Sequence, residues 1–216
     1  MAGMRGDFLW PYYPVNRNLI LFPYLGSLLL PVTGNAILCL RIVSLLAGVG
    51  LVPLGYAVTN RLLGNKCIAT LAALLLAVHS EFARTSVAVF REVLMAFVVT
   101  FAFYLVLRII QADAYPYLCA VGAGIVLFLG FVNRPEGGIV APLCGLIVLF
   151  VGYAGGWRKR IKLCMAMALG FLALQAPYTL WMKNETGMWL LNQWQVQTRL
   201  NESSTFKAYV DERGTR

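Results

Sequence analysis

The sequence predicts an all-α protein, a polytopic transmembrane bundle of about six spans with interfacial helices in its first outer loop. Three observations carry this. Of 216 residues, 60% are hydrophobic and 12% charged, whereas a soluble domain of this size carries about 25% charged residues. The mean hydropathy is +0.73. The apolar residues also fall into successive runs divided by short polar turns, and a run of about 20 apolar residues is what a bilayer requires of one helix.

The head, residues 1–36, stands apart. "DFLWPYYPVNRNLILFPYLGSLLLPVTGN" holds four prolines, three tyrosines and a tryptophan around one apolar run interrupted by Pro23. Aromatics of this kind gather at membrane–water interfaces, so the head reads as an outer-face interfacial loop with one or two short helices. It lacks the basic, apolar and small-residue order of a signal peptide. Six runs follow at 37–59, 67–78, 87–107, 117–132, 138–153 and 163–182. The first, third and sixth have full spanning length. The second, fourth and fifth are short and suit a thinned bilayer or burial within the bundle. The transmembrane domain is therefore 37–182, and 183–216 is an outer-face tail.

The cations give the topology. Arg61, Lys66, Arg108, Arg158, Lys159, Arg160 and Lys162 follow runs one, three and five, while the loops after runs two and four carry only Arg84 and Arg134. The excess marks the cytoplasmic side, with "GGWRKRIK" the strongest marker, and both termini fall outside the cytoplasm. All carboxylates except Asp113 then lie on the outer side. The net charge of +9 follows this topology, not a basic stripe interleaved with aromatics, so nucleic acid is not an expected partner. The five cysteines form no CxxC pair and read as reduced, small apolar residues. One histidine makes a His-based metal site a poor expectation. A divalent metal cofactor has no support in the residues, and no nucleotide-binding or hydrolase motif is present.

Three outer-face clusters are candidates for chemistry. Arg41 opens the first span in "CLRIVSLLAG". "HSEFARTSVAVFRE" holds His79, Glu81, Arg84, Arg91 and Glu92. Glu81 and Arg84 read first as residues of a connecting loop that snorkel to water. Arg91 and Glu92 begin an apolar helix, where a first-turn carboxylate suits the helix dipole or faces a polar cavity. "FVNRPEGGIVAPL" is a turn between spans, with Pro135 fixing one φ and Gly137 and Gly138 permitting a tight reversal. Such a turn needs neither Arg134 nor Glu136. A guanidinium at this depth binds phosphate oxygens bidentately, and Glu136 can orient it or accept from sugar hydroxyls. Trp181, Trp189 and Trp194 read as an interface belt that could also stack on sugars. "NET" at 184 and "NES" at 201 are chance-prone glycosylation sequons.

The order of features resembles the GT-C glycosyltransferases, and more narrowly the superfamily of protein O-mannosyltransferases and aminoarabinose transferases. The matching pieces are the "PYYP" head, "RIVSLLAG" opening a span, a small-residue-rich span ending near "HSE", a Glu near the start of the next helix, "NRPEGG" as a short outer turn, and "APYTLWMKNETG" as a proline-bearing span. The resemblance covers nearly the whole chain through loose motifs. It implies transfer of a sugar from a polyprenyl-phosphate donor to an acceptor on the periplasmic or lumenal face, with membrane lipid and the lipid-linked donor as partners. The donor tail lies between spans and its phosphate meets outer basic residues. Arg134, Glu136, Glu92, Arg91, Arg84 and His79 are the donor-binding candidates. The family's catalytic acid in the first outer loop is expected upstream of Met1, Asp7 matches a later position, and the chain is expected to lack its first span and C-terminal part, so the rest of the enzyme is a further expected partner. The favoured setting is a bacterial inner membrane. The competing class is a non-enzymatic membrane protein, a transporter component or assembly partner, although inverted repeats typical of transporters are absent.

Overall fold

The computed structural model describes residues 21–111, 115–134, 136–151 and 156–186. Residues Leu19–Leu174 form one compact unit, and Met1–Asn18 with Gln175–Arg216 a second. Among the described residues there are eight helices and no strand: α1 Leu21–Thr33, α2 Ala36–Leu63, α3 Lys66–Val78, α4 Ser80–Val87, α5 Arg91–Ile110, α6 Pro116–Asn133, α7 Gly137–Phe150 and α8 Trp157–Thr186.

Local sequence explains where helices stop and start. Gly34 and Gly64 take left-handed backbone at φ 62 and 65, which glycine adopts without a Cβ penalty. Each is followed by an asparagine cap. Asn35 Oδ1 accepts from the amides of Ile37 and Leu38 at 3.0 and 3.2 Å, and Asn65 Oδ1 from those of Cys67 and Ile68 at 2.9 and 3.3 Å. Pro116 opens α6, where its missing N–H costs nothing. Pro23 likewise falls in the first turn of α1, so it does not break that apolar run as the sequence had implied. The described part of the head is one short helix, and Phe22 is buried in the same core as Val43, Ala47, Val93 and Val98.

Four helices are long and apolar enough to cross a membrane: Ala36–Leu63, Arg91–Ile110, Pro116–Asn133 and Trp157–Trp181. Helices α3 and α4, bent by 58° at their junction, are together long and apolar enough for a fifth, as a broken span or a re-entrant loop. The bend falls at His79, whose Nδ1 accepts from the Phe82 amide at 3.2 Å and so caps α4. The apolar run that opens at 87 turns helical at Arg91, as expected, because Ala88 and Phe90 are extended. One expectation is corrected here: residues 80–87 are helical. Glu81 and Arg84 therefore lie on α4, not in a loop. They pair at 2.9 Å, one helical turn apart, with 62% and 76% of their side chains exposed. Helix α7 has 14 residues, about 21 Å of helix, and supplies the short fifth run.

In lipid, apolar surface gives helices little reason to associate, and close backbone approach takes over. The pairing of α6 with α8 shows this. A Cβ on Gly124 would collide with the Met167 carbonyl and lie 2.7 Å from the Phe171 amide, and one on Gly170 would collide with the Val121 carbonyl. Along α5, Val98, Ala102, Val106 and Ile109 make a buried stripe at helical spacing, facing Ala120, Ala123 and Leu127 of α6 in one core. Leu46, Val49, Leu71, Leu75, Leu118 and Leu169 point outward, a surface fit for acyl chains and not for water.

Counting the bent pair α3–α4 as one unit, the chain reverses from each apolar helix to the next, which sorts the turns into two ends. One end gathers the start of α2, the α4–α5 junction and the α6–α7 turn. At the other, Arg61 Nη1 donates to Gln111 Oε1 at 3.1 Å, and the Gln111 amide donates back to the Arg61 carbonyl at 2.6 Å. The Arg61 guanidinium also sits 5.3 Å above the Tyr104 ring. There too Arg160 donates to the Leu149 and Phe150 carbonyls at 3.2 and 3.5 Å.

Candidate functional site

The first-named end carries the site. Helix α5 starts at Arg91 and α6 stops at Asn133, and their antiparallel packing brings the two termini together. Arg134 caps α6 in extended conformation, φ −150 and ψ 140, and its amide donates to the Gly130 carbonyl at 2.9 Å. Its own carbonyl accepts from the Gly137 amide at 3.0 Å. The chain has reversed within three residues, and the Arg134 side chain is turned toward α5.

Four charges converge as a result. Glu92 Oε1 lies 3.5 Å from Arg91 Nε and 3.7 Å from Arg134 Nη1, and Arg134 Nη2 donates to Glu136 Oε1 at 3.3 Å. The arginines are two-thirds buried, the side chains of Arg91 and Arg134 being 33% and 30% exposed, while Glu136 is 60% exposed. The pairs to Glu92 are longer than tight hydrogen bonds. A guanidinium offers five N–H donors, and that of Arg134 makes one hydrogen bond among the described residues. Two partly exposed guanidiniums thus keep donors to spare, each beside a carboxylate held at more than tight hydrogen-bond distance.

Gly137 and Gly138 were expected to permit a tight reversal, and they do so as the first helical residues of α7. What requires glycine at 137 is crowding: a Cβ there would lie 2.5 Å from the Gly130 carbonyl carbon and oxygen. The two glycines let α7 dock onto the last turn of α6. Pro135 lies outside the described residues.

Of the sequence candidates, Arg91, Glu92, Arg134 and Glu136 are brought together. Arg84 and His79 are not in this cluster. Arg84 is engaged with Glu81, and His79 caps α4. Arg41 is exposed on α2. Asp7, Trp189, Trp194 and the sequon at 201 lie outside the described residues, while Trp181 lies on α8 with its ring 6.1 Å from that of Tyr178. Among the described residues no group of three or more His, Cys, Asp and Glu could hold a metal ion. The sequence reading missed Asn133, fully buried beneath the cluster, whose Nδ2 donates to the Arg91 carbonyl at 3.4 Å. A lone amide ending an apolar run was the signal for it. It also missed Ser44, whose hydroxyl donates to the Phe90 carbonyl at 3.3 Å and steadies the entry to α5.

Below the cluster, an apolar crevice of about 350 Å³ opens between α6, α7 and α8, lined by Leu127, Pro142, Met167 and Phe171 among others. Leu127 lies seven residues before Arg134 on α6, about 10 Å along the helix axis.

Residues 17–181, well over half of the chain, match the model of the family described as dolichyl-phosphate-mannose-protein mannosyltransferase. No curated protein and no solved structure matches the chain. The family is one of membrane glycosyltransferases of the GT-C type, and a helical bundle whose outer surface is apolar suits it. The chain belongs to the dolichyl-phosphate-mannose-protein mannosyltransferase family.

Proposed function

We propose that the chain serves transfer of a sugar from a polyprenyl-phosphate-linked donor to an acceptor at the membrane surface, with Arg134 and Arg91 receiving the donor phosphate. The observation that carries this reading is the convergence of Arg91, Glu92, Arg134 and Glu136 from two helices at one end of an otherwise apolar bundle. Single charges at helix ends are ordinary. Two guanidiniums that share one carboxylate oxygen can share the oxygens of one phosphate in its place.

The chemistry suits those groups. The donor is a phosphodiester with one negative charge. When the bond between the sugar carbon and the phosphate oxygen breaks, the electron pair stays on phosphate and the leaving polyprenyl phosphate gains a second charge. Guanidiniums preplaced beside it stabilise the departing group more than the ground state, which is what lowers a barrier. Glu92 pairs loosely with both arginines and keeps their charges balanced in the absence of phosphate. Glu136, the most exposed member, is displaced from Arg134 by phosphate and becomes available to sugar hydroxyls. The crevice between α6, α7 and α8 takes the donor's tail. These groups bind and neutralise, and the base that takes the acceptor's proton is not assigned to any of them.

We place the cluster on the outer side of a bacterial inner membrane and within the membrane region 37–182. The excess of Lys and Arg at the opposite end supports that orientation. Mannose, the sugar in the family's description, is the first to test. Membranes containing the chain are incubated with polyprenyl-phosphate-linked labelled mannose, and both lipid binding and label transfer are read. Binding, with transfer lowered about tenfold or more by Arg134→Ala, supports the reading. Equal binding by the wild type and Arg134→Ala overturns it.

A further inference from the structure

Asn133 ends α6 with a side chain that is 0% exposed. Its amide has one polar partner, the Arg91 carbonyl, 42 residues back along the chain and 3.4 Å from Nδ2. Its Oδ1 is buried and has no hydrogen-bond partner among the described residues. An unpartnered buried carbonyl disfavours the folded state, so an apolar side chain of similar size would serve packing at least as well. Stability therefore does not account for an amide at this position. Its placement does: among the described residues its polar contact is the main chain that carries Arg91 and Glu92, and its own neighbour is Arg134.

The ion pairs alone do not fix the site. Glu92 stands 3.5 and 3.7 Å from its two arginines with half its side chain exposed, and pairs of that length and exposure hold little geometry. The spacing of the two guanidiniums is set by how the start of α5 sits against the end of α6. Ser44 steadies α5 from α2 through Phe90, and Asn133 is the polar link from α6 itself.

We propose that Asn133 is a positioning residue of the phosphate site: its amide holds the Arg91 backbone at a fixed distance from Arg134 so that both guanidiniums reach one phosphate. This rests on the phosphate reading of the cluster given above. The proposal separates binding from stability, because removing the amide takes away the link while relieving a buried unpartnered carbonyl.

The test uses the full chain in lipid nanodiscs, with farnesyl phosphate as probe and farnesol as its phosphate-free counterpart. For Asn133→Leu the expected result is an approximately tenfold rise in Kd for farnesyl phosphate, unchanged affinity for farnesol, and a melting temperature equal to or above that of the wild type. Asn133→Ala, which asks less of the surrounding packing, must show the same loss for the phosphate alone if the leucine is not accommodated. Arg134→Ala runs beside them. If it loses farnesyl phosphate while both Asn133 variants retain wild-type affinity, the positioning role is overturned and the phosphate reading stands. If Arg134→Ala itself binds as well as the wild type, the phosphate reading falls and the role of Asn133 with it. If farnesol binding and melting temperature fall together with phosphate binding in both Asn133 variants, Asn133 is only a packing residue and the proposal is overturned.

Discussion

The two ends of the bundle use arginine in opposite ways. At the α2–α5 end, the Arg61 guanidinium donates to the Gln111 side chain and lies over the Tyr104 ring, and Arg160 donates to the last carbonyls of α7. These contacts fall on neutral groups, several of them at helix C-termini, where a cation completes unsatisfied carbonyls and meets the negative end of the dipole. At the α5–α6 end, the side chains of Arg91 and Arg134 meet carboxylates among the described residues, at longer distances, beside the start of α5. The first arrangement closes a fold. The second leaves donors to spare beside loosely held carboxylates. Composition does not separate a structural arginine from a binding one here, whereas the identity and spacing of its partners do.

Exchanging the roles is the most severe test of that contrast. Arg134→Ala is expected to raise the Kd for farnesyl phosphate by about ten- to a hundredfold, the loss of one or two charge-assisted hydrogen bonds, with little change in melting temperature. Arg61→Ala is expected to do the reverse, leaving binding intact and lowering stability by about 1–2 kcal/mol through the lost stacking and hydrogen bond. Parallel titration and thermal unfolding of both variants check this, and equal effects on binding would erase the distinction between the ends.

The glycines sharpen it next. Gly137→Ala forces a Cβ to 2.5 Å from the Gly130 carbonyl, so α7 must shift. Overpacking of this kind costs about 1–3 kcal/mol, and here phosphate affinity should fall with stability. At the opposite end, Gly64→Ala meets open space but keeps φ 65. It should cost about 1 kcal/mol of backbone strain and leave affinity unchanged. Smaller still is Glu136→Gln. It removes an anion that competes for Arg134, so farnesyl phosphate should bind about twofold tighter while sugar transfer slows. The smallest effect belongs to Glu81→Ala with Arg84→Ala. That pair is exposed on α4 and away from the cluster, and its loss should change stability by less than about 1 kcal/mol and binding not at all.

Much of the fold was legible because hydropathy is local. The long spans, the turn at 134–136 and the helix that begins at Arg91 follow from runs of apolar residues and their interruptions. The bent pair was legible only in part. "HSEFARTSV" is polar enough to read as a loop, yet His79 can both end α3 and cap α4, so the polar stretch is helical. The apolar run around Pro23 is one short helix, as its length implied, and the proline sits in its first turn where it removes no bond. The paired Gly–Asn signals at 34–35 and 64–65 were on the page and mark two helix boundaries directly.

The sequence by itself determined that this chain lives in a membrane, that its charges collect in turns, and that Arg134 and Glu136 have no part in making a turn. Only the tertiary structure decided which charges share a site. Arg91 and Glu92 lie some forty residues from Arg134, and nothing local separates them from Arg84, which points elsewhere. The decision was made by α5 packing antiparallel on α6, by a buried amide between their ends, and by glycines that let backbones touch. Packing of that kind depends on shape complementarity between distant segments, a property carried by no single stretch of residues.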